Sequence, residues 1–171
     1  MSSGITVDDQ CKLAFHELKT THEFKYVLFK IADDNKSIIV DTTSLGPFKD
    51  LDTVSPAEKE AALAARKAAK DNLAGKSEKE IYEMFVKLLP EQECRYAVYD
   101  FTYEKDGSSR NKILFYAWSP ETAKIKNKMI YASSKDSLRK TLVGVAQDIQ
   151  ATDFEEASHD AALEKVLRNA R

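Results

Sequence analysis

The sequence predicts an α/β protein of the α+β type, a β-sheet covered by helices on both faces, and three observations carry that expectation. Two pairs of β-branched and aromatic runs are each joined by turn residues. One run, Ile113 to Trp118, is apolar without alternation. Capped or amphipathic helical segments fall before, between and after the pairs. A strand apolar at every position is covered on both sides, so helices must flank the sheet twice.

Residues 7–20, VDDQCKLAFHELKT, open with acids suited to a helix N-terminus and repeat apolar side chains at Cys11, Leu13, Ala14, Phe15 and Leu18. A first helix is expected there. FKYVLFKI (24–31) and KSIIVDTT (36–43), joined by ADDN, read as a hairpin. Ser55, Pro56 and Glu58 then form a capping box, alanines fill the body, and Gly75 stands where a C′ residue belongs, so 56–74 is expected to be helical. Glu58, Lys59, Glu60, Arg66, Lys67 and Lys70 are expected to be solvated, which makes this segment a weakly docked arm. A shorter helix, Glu78 to Leu89, has anchors in Ile81, Met84, Phe85 and Leu88 and stops at Pro90. RYAVYDFTYE (95–104) and NKILFYAW (111–118) flank KDGSS, where Asp106 and Gly107 supply the turn. Helices are expected over 127–145 and over about 153–170, the last opened by Thr152 or Asp153 with Glu155 and Glu156 behind.

The 171 residues suit one domain, and 26 basic against 28 acidic side chains argue against a general polyanion binder or nucleic-acid protein. Cys11 and Cys94 lack CxxC spacing, so free thiols in a reducing compartment are expected. The N-terminal residues show no signal-peptide pattern, and no apolar run reaches membrane-spanning length.

Chemistry-bearing motifs are sparse. His16 and His22 are six apart and cannot share a helix face as HExxH requires, the five glycines stand singly, and no GxGxxG, GxxxxGK[ST] or GxSxG occurs. Asp100, Asp148 and Asp153 sit in strands, strand ends or caps, where structural roles are commoner than acid/base work. No catalytic residue, metal or cofactor is expected. Charge is locally uneven, however: Arg110, Lys112, Lys124, Lys126, Lys128, Lys135, Arg139 and Lys140 face only Glu121 and Asp136 between 110 and 140. Two readings stay open for the 127–145 helix, a simply solvated face or an electrostatically steered docking surface in which Met129 fills a partner's slot.

Three stretches go further: YAVYDF (96–101), WSPETA (118–123) and KMIYASSKDSL (128–138). With SGI at the N-terminus, LFKI in the first strand, LPEQEC before the second pair and ALEKVLR in the last helix, the sequence resembles the actin-depolymerising factor/cofilin family. The likeness covers the chain except about residues 45–76, an inserted Ala-rich helical segment in an otherwise single domain. It implies a central mixed sheet of five to six strands sandwiched by helices, the gelsolin-like architecture of that family. It also implies a non-enzymatic protein that binds monomeric and filamentous actin, prefers the ADP form, severs filaments and promotes depolymerisation. An alternative is a relative that binds filaments or a nucleating complex without severing, and a remote one is a hydrolase or lipid-modifying enzyme.

By resemblance, Ser3, Gly4, Ile5, Lys126, Lys128, Met129, Lys135, Asp136, Arg139 and Lys140 contact actin in monomer and filament. Arg110, Lys112, Glu164, Lys165 and Arg168 form a filament-only surface. Ser3 matches a position phosphorylated in relatives, phosphoinositide head groups would compete for the same lysines, and a monomeric cytoplasmic protein of the actin cytoskeleton is implied. Only Lys30 and Lys36 lie where some relatives carry a nuclear-import cluster, so nuclear import is not carried over.

Overall fold

A computed structural model describes residues 4–169. The elements run β1 (Thr6–Val7), α1 (Asp9–Lys19), β2 (Tyr26–Ile31), β3 (Ser37–Thr43), α2 (Pro56–Leu73), α3 (Glu78–Lys87), β4 (Arg95–Lys105), β5 (Ser108–Trp118), α4 (Ile125–Thr141), β6 (Gln147–Ala151) and α5 (His159–Asn169). The strands form a single sheet in the order β1-β3-β2-β4-β5-β6. The β1/β3 and β5/β6 pairs are parallel and the other pairs antiparallel, so the sheet is mixed as expected.

Alternation along β5 splits the core in two. Phe115 faces one cluster with Phe15 and Leu18 of α1 and Tyr131 and Leu138 of α4. Leu114, Tyr116 and Trp118 face the other, with Tyr82 and Phe85 of α3 and Ala162 and Val166 of α5. The unalternating run thus has the physical cause its sequence suggested, since each side of the strand meets a helical layer. Tyr82 ties the second layer together: its hydroxyl hydrogen-bonds Tyr116 Oη at 2.6 Å and donates to the Ala157 carbonyl at 2.6 Å.

Both hairpins form where turn residues predict them. At the second, Asp106 (φ 55°) and Gly107 (φ 77°) take the left-handed conformation that a tight two-residue hairpin turn needs.

Several expectations need correction. Arg66 is not solvated: only 8% exposed, its guanidinium lies 3.4 Å from Glu17 and 3.6 Å from Glu23, donates to the Lys49 carbonyl at 3.2 Å, and covers the Phe24 ring. Because Ala69 and Leu73 also pack on the first core, α2 is docked rather than a loose arm. Its Ser55 cap accepts from the Glu58 N–H, whereas the reciprocal capping box stands at α3, between Ser77 and Glu80. In α3 the inward positions are Ile81, Tyr82 and Phe85, followed by Leu89, while Leu88 is exposed. The last helix begins at His159, not near 153. Thr152, Asp153 and Glu156 instead close a turn, with the Thr152 N–H donating to Glu156 Oε1 and the Glu156 N–H to Asp153 Oδ1. The strand β6 lies in a segment that the sequence reading left unassigned, and β1 takes Val7, which was expected to open the first helix; that helix begins at Asp9.

Candidate actin-binding surface

The helix α4 is fixed from beneath and at both ends. Its N-cap, Lys124, makes no side-chain capping bond, and its first turn carries no acid, so the helix start gets its definition elsewhere. Trp118 Nε1 donates to the Pro90 carbonyl at 2.7 Å, Thr122 Oγ1 to the Glu91 carbonyl at 2.6 Å, and the Cys94 N–H to Asn127 Oδ1 at 2.8 Å. The WSPETA segment is therefore a strap that seats α4 against the start of β4. Tyr131 Oη accepts the Ile31 N–H at 2.9 Å, and the Tyr131 carbonyl accepts from Tyr96 Oη. Below, Leu138 and Leu142 are fully buried. At the far end Lys19 Nζ donates to the Val143 carbonyl at 2.8 Å.

What the seating leaves outside is an apolar row with cations around it. Ile125 is 75% and Met129 65% exposed, although large apolar side chains are normally inside. Lys126, Asp136 and Lys140 are exposed, and Lys128, Lys135 and Arg139 are half-buried. Lys128 donates to the Glu121 carbonyl at 2.8 Å and Arg139 pairs with Asp148 at 3.0 Å. Beside Met129 a surface hollow of about 610 Å3 is lined by Asn35, Lys124, Lys126, Asn127, Ile130 and Ser133. Met129 thus faces solvent, as a docking reading requires. Ile125 and Val143, 71% exposed, were missed by the sequence reading. The signal for Ile125 was its i, i+4 spacing to Met129, a second apolar stripe beside the inward Tyr131–Ser134–Leu138 row.

The other site residues divide. Ile5 is buried in the first core, so its side chain is not offered to a partner; it anchors the strand β1, which lies against α4. Gly4 is exposed beside it, and Ser3 lies outside the described residues. Arg110 and Lys112 alternate with Asn111 and share a strand face with Leu114 and Tyr116, the side covered by α3 and α5. Glu164, Lys165 and Arg168 belong to α5, where Arg168 pairs with Glu164 at 2.8 Å. The two sets of residues therefore belong to opposite layers of the sheet.

The acids and thiols have structural settings. The Asp100 carboxylate, nearly buried, lies 3.1 Å from His22 Nδ1 and accepts from Asn111 Nδ2 at 3.0 Å. Asp148 is held by Arg139, and Asp153 caps its turn. Burial, with help from the Asp8 charge, pushes the Cys11 thiol up to about 12, and burial raises Cys94 as well, so neither favours a reactive thiolate. Among the described residues no group of three His, Cys, Asp or Glu is placed to hold a metal, and no helix is long and apolar enough to cross a membrane.

The sequence model of the cofilin/tropomyosin-type actin-binding proteins matches residues 4–66 and 57–167. The chain belongs to that family. Cofilin of Mycosarcoma maydis is 42% identical over 170 residues, covering 99% of each chain. Actophorin of Acanthamoeba castellanii is 37% identical over 169 residues, again 99% of each. Among solved structures, the Streptomyces griseoflavus cofilin superimposes with a TM-score of 0.72 at 36% identity, covering 96% of this chain and 98% of that one. Plasmodium berghei actin depolymerization factor 2 gives 0.73 at 28% identity, over 99% and 100%. The cofilin relatives make this an actin-binding protein rather than an enzyme, and α4 with its strap is where this member exposes apolar surface among cations.

Proposed function

We propose that this protein binds monomeric and filamentous actin through the outer row of α4, severs filaments and promotes their depolymerisation. The observation that carries the reading is the exposed Ile125–Met129 pair, held rigidly outward by buried Tyr131 and Leu138 and ringed by Lys126, Lys128, Lys135, Arg139 and Lys140. An apolar centre gives contact energy, and peripheral charge gives orientation and encounter rate. Asp136 and the Gly4 backbone extend this surface, and Ser3 precedes it, so a phosphate there would add negative charge facing an acidic partner.

Arg110 and Lys112 with Glu164, Lys165 and Arg168 supply the second surface, on the other layer. A single rigid domain with actin contacts on two layers touches two neighbouring subunits and favours one filament geometry over another. Strain then collects at boundaries between decorated and bare segments, which breaks filaments without any bond chemistry by this protein. The reading includes preference for ADP-actin, competition by phosphoinositide head groups, a monomeric state, and residence on the cytoplasmic actin cytoskeleton. The whole of 1–171 acts as one domain, with 45–76 as an added helix.

Filament co-sedimentation, imaging of filament length and monomer titration test this together. Arg110→Ala/Lys112→Ala is expected to lose filament binding and keep monomer binding; equal loss of both contradicts the two-surface assignment.

A further inference from the structure

Between α3, the start of α5 and the ends of β5 and β6 lies an apolar groove, made of two hollows of about 420 and 300 Å3 that share one wall, the Phe154 ring. Phe154 is 41% exposed, and its ring lies against the buried Trp118 with centroids 4.9 Å apart. The turn that carries it is closed: the Thr152 N–H donates to Glu156 Oε1, the Glu156 N–H to Asp153 Oδ1 and the Ala157 N–H to the Asp153 carbonyl at 3.2 Å. The backbone therefore holds outward a large apolar side chain of a kind normally found inside.

Charge around the groove is one-sided. Glu91, Glu121 and Asp153 line the smaller hollow, and no cation is among its walls. All three are exposed, and neither the Glu91 nor the Glu121 carboxylate has a hydrogen bond or ion pair among the described residues. The larger hollow has Tyr82 and Val86 in its wall, with Glu83 and Asp160 against Lys79 and Lys87 at its edge. Carboxylates gathered beside an aromatic wall focus a negative potential that a cation relieves. A bare metal ion is a poor fit, since among the described residues no group of three His, Cys, Asp or Glu is placed to hold one. A guanidinium fits better: planar and weakly hydrated, it lies on an aromatic face while its N–H groups reach carboxylates at the rim.

We propose that this groove docks an extended basic segment of a partner protein. An arginine of that segment lies on Phe154 among Glu91, Glu121 and Asp153. An apolar side chain two positions along, roughly 7 Å away in an extended chain, fills the hollow beside Tyr82 and Val86 on the other side of the ring. The groove contains none of the residues assigned to actin, so an occupied groove and bound actin coexist; that coexistence, unlike the groove itself, rests on the function proposed above.

The test titrates the isotope-labelled full chain with the capped peptide Gly-Arg-Ser-Leu-Gly and with its counterpart carrying Glu in place of Arg. In the unsubstituted protein, amide signals of Gln92, Phe154 and His159 should move with the arginine peptide, and the glutamate peptide should bind about tenfold more weakly or worse. Glu91→Lys, at an exposed position outside the actin-facing sets, should weaken the arginine peptide about tenfold with melting temperature unchanged. Phe154→Ala should weaken it about fivefold; if that variant melts lower, Glu91→Lys alone decides. No measurable binding of the arginine peptide, equal affinity for the two peptides, undiminished affinity in Glu91→Lys, or signal changes confined to other acidic positions such as Asp33 and Asp34 overturns the proposal. A dimer that forms on concentration and moves the same amides without peptide assigns the groove to a second copy, and overturns it too. Saturating arginine peptide should leave actin co-sedimentation unchanged, and displacement would contradict the coexistence. Peptide binding in a protein that fails to bind actin would sink the actin reading and leave the groove standing.

Discussion

The helices α2 and α4 are both long, cation-bearing surface helices, and they are held in opposite ways. Arg66 in α2 is spent on the fold, wedged between Glu17 and Glu23 and over Phe24, with Lys70 adding a 2.8 Å bond to Glu23. The hold on α4 is through Tyr131, Leu138 and Leu142, so none of its cations is spent on the core: Lys126 and Lys140 are exposed and Lys128, Lys135 and Arg139 lie half-buried along its flanks. Counting charges on a helix therefore says nothing about whether they are available. What decides is whether hydrocarbon or charge does the docking.

Breaking the α2 lock should give the largest effect on stability. Arg66→Ala leaves two carboxylates around a desolvated spot and should lower stability by about 2–4 kcal/mol, read by denaturant melts, while actin affinity of the folded protein stays near that of the unsubstituted chain. Burial already raises the Glu17 pKa, against the pull of Arg66. A folded-state carboxyl pKa above the unfolded one means that the folded state binds more protons in between. Stability from this group therefore declines as pH rises through that window, and the Arg66→Ala deficit should shrink on acidification toward 4.5. A deficit independent of pH would show that Glu17 is not what Arg66 neutralises.

The converse change, at α4, should leave stability alone. Lys135→Ala/Arg139→Ala is expected to weaken monomer and filament binding by about 1–2 kcal/mol, roughly 5- to 30-fold, with a steeper loss at low salt and melting temperature nearly unchanged. Unaltered affinity at low salt would mean that the α4 cations only solvate their helix.

A third, smaller effect belongs to the layer of α3 and α5. Burial lowers the His159 pKa from its ordinary 6.5, aided by Lys79 and opposed by Asp160, Glu83 and Glu78. The unfolded chain then binds the proton more readily, so stability should be lost as pH falls from 6.5 through the folded pKa. Replacing His159 by Gln should flatten that slope, and an unchanged pH profile of melting would contradict the assignment.

Much of this was legible in the sequence because periodicity and caps are local. Both hairpins, the helix starts at Pro56 and Glu78 and the doubly buried Ile113–Trp118 strand follow from neighbours in the chain. The strand β6 was not, since only Ile149 and Ala151 of its five residues are buried and its pairing with β5 is long-range. Arg66 was misread for a similar reason: its partners Glu17, Glu23 and Lys49 lie far back in the chain, and an arginine among alanines looks solvated. The cations of the candidate surface were visible as a local charge excess and their role through the family resemblance, whereas Ile125 emerged only once the inward face of α4 was fixed. Ile5 went the other way, since a residue beside Gly4 gives no local sign that its side chain turns into the core.

The account stands on the claim that the outward row of α4 is where actin docks. Titrating labelled ADP-actin monomers with Ile125→Ala/Met129→Ala tests it most directly, because both side chains are mostly exposed and their loss should barely move the melting temperature. The expected result is a loss of monomer affinity of about tenfold or more. Unchanged affinity in a variant that folds and melts normally would contradict it.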